Sequence, residues 1–419
     1  MLSKGEKPVF KNKVTEAYHC ILPLRMILLA RTDPNRFNLI DHLMDHEEER
    51  EETKDWFTTE RTVVQKLMQQ CGEEAVTNLT AAEIRRAVGV LEVNSYEVSE
   101  EFRGCFPIGN LLSHSCVPNS CHIWTLAAPY TNTCIATVDI EAGQEVLTTY
   151  QIPTMSTLRR RPNLKNGWHF DCTCKRCSSV TELGTNINTL ICPACNQPKL
   201  LPGNPLQFGS VWRCICGHEV SEEAVKAIVE NIINDTKDVT KKQKNDVNAW
   251  LKLENASLKL VHPQHEVMLE IIKWLVPVLC RGPNQSLSHF PISLVQKKLS
   301  LAQRYFGVLN VVEPGFSKSR VKVLFEIIET QLFLMFHENP GIDLIKENLK
   351  RHLVQLTMVI KVLERLGPNK GFETILVYAS KSILERIQNI LSQIEENRFN
   401  LEQCRKGWSL IELWRGGAN

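Results

Sequence analysis

Apolar residues recur at helical spacing through the second half of this 419-residue chain. One stripe is separated by steps of four, three, four and three residues, which places its members on one face of a helix: Leu349, Leu353, Leu356, Ile360 and Leu363. Two more stripes follow the same rule: Leu324, Ile328, Leu332 and Met335, then Ile383, Ile387, Ile390 and Ile394. From Glu219 onward the pattern predicts only helices, arranged antiparallel as a bundle or a solenoid. Gly367–Pro368 is predicted to end the helix that carries the stripe from Leu349 to Leu363.

The first part of the chain also carries helical patterns. Ile21 to Leu29 is strongly apolar and predicts a buried helix, and Trp56 to Gln69 predicts an amphipathic one. Between them, the acidic run from Asp41 to Glu52 predicts a solvated helix. Thr80 and Glu83 have the spacing of a capping box, which should open a further helix that runs through Val88.

Short alternating segments replace this pattern between residues 88 and 152. Leu91 to Val98, Cys134 to Val138 and Glu145 to Tyr150 are predicted strands, and Gly143 is predicted to make the turn into the last of them. We expect a β-rich module here. Residues 153–166 contain a basic run and predict a helical connector.

Composition narrows the class of protein. Hydrophobic residues make up 43% and charged residues 23%, as in an ordinary soluble globular chain of two or three domains. The net charge of +2 gives no general basic field for nucleic acid. No apolar run is long enough for a membrane span, and the first residues do not form a secretory signal. We expect a cytoplasmic or nuclear protein.

The fifteen cysteines are unevenly placed, and seven lie between Cys172 and Cys216. Such clustering favours metal over disulfides. Cys172, Cys174 and Cys177 form a C-x-C-x-x-C run, one ligand short of a tetrahedral zinc site, and Cys116 is the candidate fourth ligand. A structural zinc would then join two distant segments of the chain.

A second cluster follows. Cys192 and Cys195 form C-x-x-C, and Cys214 and Cys216 form C-x-C, an arrangement similar to a zinc ribbon. Because the second pair is shorter than usual, His218 is an alternative ligand. Trp212, beside this pair, is predicted to pack on the site.

Three motifs occur in order along the chain. His114-Ser-Cys-Val-Pro-Asn119 is followed by Gly143-Gln-Glu-Val-Leu-Thr-Thr-Tyr150, and then by Phe170-Asp-Cys-Thr-Cys-Lys-Arg-Cys177. Together they resemble a SET domain with its post-SET zinc segment. With the long helical tail, the chain is most similar to SET–MYND proteins, in particular their arthropod branch.

The resemblance implies an α+β fold: a partial β-rich SET core with a post-SET zinc loop and a zinc ribbon, followed by an all-helical C-terminal domain. Its expected divisions are a helical insertion-like region (1–87), the C-terminal half of the SET core (88–152), the post-SET zinc segment (153–180), a ribbon-like segment (181–220) and the helical domain (221–419).

The resemblance further implies an S-adenosylmethionine-dependent protein-lysine N-methyltransferase with two structural zinc ions. Tyr150 stands where SET domains carry their catalytic tyrosine, and Asn119 where they thread a pseudoknot. The implied cofactor contacts are Asn94, Ser113, His114, Tyr150, Trp168 and Phe170. The expected partner is a lysine-bearing protein, histone or non-histone, and the helical tail is expected to bind further protein partners. Membrane and nucleic-acid partners are not expected.

Some family features have no counterpart in the sequence. Ser113 stands where the family usually has asparagine, residues 1–30 carry no Gly-x-Gly, and Cys20 is the only cysteine before residue 71, so no MYND finger can be built. We therefore expect a form shortened at its N-terminus, with impaired cofactor binding. The alternative function is a non-catalytic, zinc-stabilised interaction scaffold. A nucleic-acid module built on the ribbon and Arg159–Arg161 is the weakest hypothesis, because the basic run is short.

Overall fold

A computed structural model describes residues 18–70, 78–99, 102–125, 131–282, 286–338, 340–365 and 372–407. Helices dominate these ranges and the sheets are small, which confirms an α+β chain with a helical C-terminal region. The chain forms two compact units. The first comprises Met1–Ser113, Leu126–Thr133 and Pro162–Asp171, and the second comprises His114–Thr125, Cys134–Arg161 and Cys172–Asn419.

The secondary structure alternates between long helical runs and short strands. The helices before the first strand are α1 (Tyr18–Thr32), α2 (Pro34–Asp41), α3 (Glu47–Glu51), α4 (Lys54–Thr59), α5 (Gln65–Gln70) and α6 (Ala81–Asn94), with a π-helical segment, Glu60–Val64, between α4 and α5. The strands are β1 (Tyr96–Ser99), β2 (Phe102–Gly104), β3 (Ser113–His114), β4 (Ser120–Thr125), β5 (Thr131–Ala136), β6 (Leu147–Thr148), β7 (Leu201–Pro202), β8 (Trp212–Arg213) and β9 (Glu219–Val220).

Helix α7 (Thr157–Trp168) follows β6, which confirms the predicted connector. The C-terminal helices are α8 (Glu222–Lys242), α9 (Val247–Ser257), α10 (Glu266–Val278), α11 (Ile292–Val312), α12 (Lys318–Glu338), α13 (Ile342–Arg365), α14 (Phe372–Glu395) and α15 (Leu401–Gly407). Short 3-10 turns occupy Gly109–Leu111 and Leu287–His289.

The first unit has its own apolar core. The predicted apolar helix is α1, and its Leu24 and Ile27 are buried against Leu67 and Ile84. The predicted amphipathic helix is also confirmed, as the run from α4 through α5. The acidic run, however, is not one helix. It is interrupted between Asp41 and Glu47, where the backbone of His46 adopts a left-handed φ of 51°.

The capping box of α6 is confirmed. The Glu83 amide donates to the Thr80 hydroxyl, and the Glu83 carboxylate accepts from the Thr80 amide. The helix runs six residues beyond its predicted end, to Asn94, so the predicted strand Leu91–Val98 is wrong in its first half. Asn94 supports the last turn by donating from its side-chain amide to the Val90 carbonyl at 2.8 Å.

The sheets are smaller than the alternating pattern predicted. Strands β1 and β2 pair antiparallel, β3 pairs with β6 and β4 with β5. The predicted strand Glu145–Tyr150 is reduced to the two residues of β6, although Gly143 does make the turn before it with a φ of 88°. The β7–β8–β9 sheet is antiparallel throughout, with Trp212 opposite Pro202 and Val220.

The helical tail confirms the period-based predictions. All members of the three stripes are buried except Leu353, which is half-buried. Helices α11, α12 and α13 each pack against the next helix in sequence, and α15 packs against α12. Gly367–Pro368, the predicted helix stop, lies outside the described residues. Among those described, no helix combines the length and apolar character that a membrane crossing requires.

Gly315, in the turn between α11 and α12, makes a close backbone contact with Thr137, the residue after β5. The Phe316 amide donates to the Thr137 carbonyl at 2.9 Å. A Cβ at Gly315 would lie 1.7 Å from that carbonyl oxygen, and the φ of 78° is one that side chains disfavour. Only glycine fits this junction within the second unit.

We therefore expect Gly315→Ala to lower the free energy of unfolding by about 2–3 kcal/mol, because the junction must open and the backbone is strained. Urea denaturation measures this loss. Gly307→Ala is the matched control, since Gly307 lies in α11 and a Cβ added there would meet no described atom within 4 Å. Helix propensity predicts that this control is neutral or slightly stabilising. Equal stability of the two variants would contradict the expectation.

Candidate metal centres and active site

The first cysteine cluster joins four predicted ligands from two segments of the second unit. The sulfurs of Cys116, Cys172, Cys174 and Cys177 lie within 4.8 Å of one another. The Cys116 sulfur is 3.5 Å from that of Cys177 and 3.9 Å from that of Cys172. Four sulfurs at 2.3 Å from one zinc ion would be about 3.8 Å apart, so the cluster has the dimensions of a tetrahedral site.

Two buried guanidinium groups surround this cluster. Arg160 donates from Nε to the Cys116 sulfur at 3.3 Å, and its Nη2 lies 3.7 Å from the sulfur of Cys177. Arg176 donates to the Cys116 carbonyl at 3.0 Å. Four thiolates around Zn²⁺ leave excess negative charge, which nearby guanidinium groups offset. The donor set therefore fits a zinc tetrathiolate.

Glu182 joins the two arginines. It accepts from Arg160 at 2.7 Å, from Arg176 at 2.9 Å and from the Thr157 amide at 2.6 Å, and all three charged side chains are fully buried. Burial alone would raise the pKa of the Glu182 carboxyl, but the two guanidinium groups hold it below its ordinary value. The backbone of Glu182 is in a left-handed conformation, with φ at 50°.

Glu182→Gln should destabilise the chain by about 3–5 kcal/mol, because it leaves two buried guanidinium charges without a carboxylate. Chemical denaturation at pH 7 gives the loss. The depressed pKa means that the carboxylate stabilises the fold above its ordinary value of 4.5, and that this contribution disappears as pH falls below it. The variant should therefore lose less stability on acidification than the wild type.

Glu219→Gln serves as the control, since Glu219 pairs with Arg213 at an exposed position. Its expected change is below about 1 kcal/mol. A Glu182 variant as stable as this control would contradict the interpretation of the network.

The second cluster contains the four cysteines of the ribbon. The sulfurs of Cys192, Cys195, Cys214 and Cys216 also lie within 4.8 Å of one another, with 3.6 Å between Cys192 and Cys216 and between Cys195 and Cys214. The short C-x-C pair reaches the cluster because Gly217 turns with a φ of 89° and the Cys214 amide bonds the carbonyl of His218. His218 thus contributes through its backbone.

Trp212 is buried in β8, two residues before Cys214, and shares an apolar core with Cys192 and Cys214. The tryptophan predicted to lie beside the ribbon cysteines is therefore part of the same packed region.

Asn119 ties the His-Ser-Cys segment to the segment around β6. Its side chain accepts from the Leu147 amide at 2.7 Å and donates to the Glu145 carbonyl at 2.8 Å, while its backbone carbonyl accepts from the Thr137 amide at 2.8 Å. One asparagine thus joins three chain segments. Its role in a pseudoknot stays a prediction.

His114 links the first cluster to Tyr150. Its Nδ1 accepts from the Tyr150 amide at 3.0 Å, its Nε2 lies 3.3 Å from the Cys116 sulfur, and the centroids of the His114 and Tyr150 rings are 5.2 Å apart. Burial lowers the pKa of His114 to about 4; Cys174 opposes this shift, and Arg160 and Arg176 reinforce it. The neutral imidazole therefore accepts at Nδ1 and directs Nε2–H toward the sulfur.

The predicted cofactor contacts are distributed over both units. His114 and Tyr150 belong to the second unit, whereas Asn94, Ser113, Trp168 and Phe170 belong to the first. Within the first unit, the side-chain amide of Asn94 donates to the carbonyls of Met44 and Val90, and Ser113 is exposed. Trp168 ends α7, and both aromatic residues are half-buried.

The buried network was missed by sequence analysis. Arg159–Arg161 was predicted only as the basic run of a helical connector, yet Arg160 is fully buried, Arg161 is 4% exposed and Arg159 pairs with Glu266 at 3.0 Å. The nucleic-acid hypothesis therefore loses its basic surface. Three arginines in a row beside a cysteine cluster were the one available signal, since thiolate sites attract cations. Nothing in the sequence indicated Glu182.

Known proteins match parts of the chain. A 155-residue segment is 33% identical to the SET domain-containing protein SmydA-8, isoform A, of Drosophila melanogaster, covering 34% of this chain and 32% of that protein. The protein-lysine N-methyltransferase SMYD4 of Homo sapiens is 30% identical over 155 residues. This match covers 35% of this chain and 17% of SMYD4. The histone-lysine N-methyltransferase set5 of Schizosaccharomyces pombe is 35% identical over 91 residues. This match covers 22% of this chain and 28% of set5.

These matches cover about a third or less of each relative's length. No protein-family model matches the chain. The matched segments nevertheless come from proteins named for SET domains or lysine methyltransferases. These partial matches support a relationship to SET–MYND-like proteins.

Proposed function

We propose that this chain is an S-adenosylmethionine-dependent protein-lysine N-methyltransferase with two structural zinc ions. Its acceptor would be a lysine of a histone or non-histone protein. Residues 88–152 would form the SET core, 153–180 the post-SET zinc segment and 181–220 the ribbon. Residues 221–419 would form the helical domain, with 1–87 as a helical insertion.

The hydrogen-bonded path from Cys116 through His114 to Tyr150 supports this proposal most directly. A metal fixed at Cys116 would fix the orientation of His114, and His114 in turn holds the backbone of Tyr150. Positioning contributes most of the rate in a reaction whose donor is already activated. A structural zinc coupled to the candidate catalytic tyrosine would supply such positioning.

The candidate site residues then have separate roles. S-adenosylmethionine, when bound, supplies the activated methyl group. Burial raises the pKa of Tyr150, so its phenol remains protonated near neutral pH and can orient the incoming amine. His114 would present its backbone to the cofactor, because both its ring nitrogens have protein partners. The remaining proposed contacts are Asn94, Ser113, Trp168 and Phe170.

Calorimetric titration with S-adenosylmethionine and S-adenosylhomocysteine tests the proposal. We expect micromolar binding to protein that carries two zinc ions, and a loss of about tenfold or more in His114→Ala. Zinc content must be measured for each variant, because His114 contacts a candidate ligand. His337→Ala is the control: His337 is exposed on α12 and should leave binding unchanged.

Absence of binding heat from folded, zinc-loaded wild type would contradict the enzyme proposal. The non-catalytic scaffold would then be the better account of the family relationship.

A further inference from the structure

A cavity of about 390 Å³ lies within the second unit, beside the end of the Tyr150 segment. Ile152 and Met155 line it from the loop after Tyr150, Ile233 from α8, and Trp274 from α10. This volume is in the range of ligand-binding pockets, and the four side chains give it an apolar floor. It is large enough for one or two side chains of a peptide.

Four positively charged and two negatively charged side chains line the cavity. Arg159 pairs with Glu266 at 3.0 Å, and Lys273 pairs with Glu270 at 3.1 Å. The Glu266 carboxylate is further occupied by the amide and hydroxyl of Ser156.

The two other positively charged residues that line the cavity are Lys237 and Lys241. They lie one helical turn apart on α8, both are exposed, and within the described ranges neither forms an ion pair. Lys241 also lies near the Asp238 carboxylate, which pairs with Lys242. Two exposed lysines outside the salt bridges of the described residues, next to an apolar floor, favour an anionic ligand that also has an apolar group.

The position of the cavity identifies the source of that ligand. Ile152 follows Tyr150 by two residues, so their Cα atoms are at most about 7 Å apart. Met155 also connects this wall to the buried network, since its carbonyl accepts from Arg176 at 3.0 Å. The cavity is thus anchored next to the candidate catalytic tyrosine. A segment close to an acceptor lysine could reach it.

Resting on the proposed function, we infer that this cavity recognises the protein substrate. Its ligand would be a segment with a bulky apolar residue followed by carboxylates, near the lysine to be methylated. The apolar side chain would occupy the floor between Ile152 and Trp274, and the carboxylates would pair with Lys237 and Lys241. The acceptor proteins would then share an acidic, apolar sequence context.

Fluorescence anisotropy tests this inference with three labelled peptides of equal length. One carries Phe-Glu-Glu, one Phe-Lys-Lys and one Ser-Glu-Glu at its centre. The zinc-loaded full chain should bind the first on the order of tenfold more tightly than either of the others. The double variant Lys237→Glu/Lys241→Glu should remove this preference, and Ile152→Asp should weaken binding of the first peptide.

The matched control is Lys252→Glu/Lys259→Glu, which makes the same charge change at exposed positions that do not line the cavity. It should keep the preference for the first peptide. Equal binding of the three peptides, or a preference that survives in the Lys237/Lys241 variant, would overturn the inference. So would capture of phosphatidylserine vesicles by the same lysines without discrimination among the peptides.

The titrations are done without cofactor, so the two proposals can fail separately. Discrimination among peptides by a chain that gives no heat with S-adenosylhomocysteine would support the cavity as a peptide site and contradict the enzyme. Cofactor binding without discrimination would contradict the cavity inference alone.

Discussion

Replacing Cys116 by serine should lower the zinc content from two ions to one per chain. Cys116 is the ligand that joins the His-Ser-Cys segment to the Cys172–Cys177 loop, and its side chain is buried. A structural zinc in a small cysteine site contributes about 10–16 kcal/mol of binding free energy that is available only to the folded state. Loss of one thiolate ligand should remove a large part of this binding free energy.

Loss of this zinc ion should also destabilise the folded chain. Without zinc, the guanidinium groups of Arg160 and Arg176 remain buried beside the cluster with only Glu182 to compensate them. We expect destabilisation by at least about 5 kcal/mol, hence a melting temperature lower by about 10 °C or more. Plasma mass spectrometry measures the zinc, and calorimetry measures the melting temperature.

Cys134→Ser is the matched control. Cys134 lies in β5 with an exposed thiol and belongs to neither cluster of the described residues. This variant should retain two zinc ions and the wild-type melting temperature. If Cys116→Ser also retained two ions, the assignment of Cys116 as a ligand would be wrong.

The features of this fold that could be predicted from the sequence depend mainly on contacts between residues close together in the chain. The apolar stripes of α12, α13 and α14 were predicted because each depends on neighbours three and four residues away. The capping box at Thr80 is equally local. The approach of Cys116 to Cys172–Cys177 is distant in sequence, but it was predicted because zinc chemistry demands a fourth ligand.

Predictions failed where a distant or competing contact decided the outcome. Leu91 and Val93 alternate with polar residues as in a strand, yet α6 buries both. Glu182 acquires its role only by packing against Arg160 and Arg176. A charge partner of this kind leaves no periodic signal, and the same packing buries Arg160 from the basic run Arg159–Arg161.

The chemistry of the candidate active site is tested by Tyr150→Phe. This change keeps the ring beside His114 and the backbone N–H that bonds its Nδ1, and it removes only the hydroxyl. Zinc content, stability and cofactor binding should therefore stay near the wild-type values. The methyl-transfer rate should fall by about 10²–10⁴-fold, because the group that orients the amine is gone.

Mass spectrometry measures that rate, with core histones and the chain itself as acceptors and S-adenosylmethionine in excess. Tyr378→Phe is the control, because Tyr378 is an exposed tyrosine on α14 and its hydroxyl should not affect transfer. If Tyr150→Phe transferred methyl groups as fast as this control, Tyr150 would not be catalytic. The path from Cys116 through His114 would then support the fold of this segment and not its chemistry. If Tyr150→Phe bound cofactor normally and transferred slowly, the hydroxyl would act on the reacting groups, and the zinc centre would act on the rate by positioning the residue that carries it.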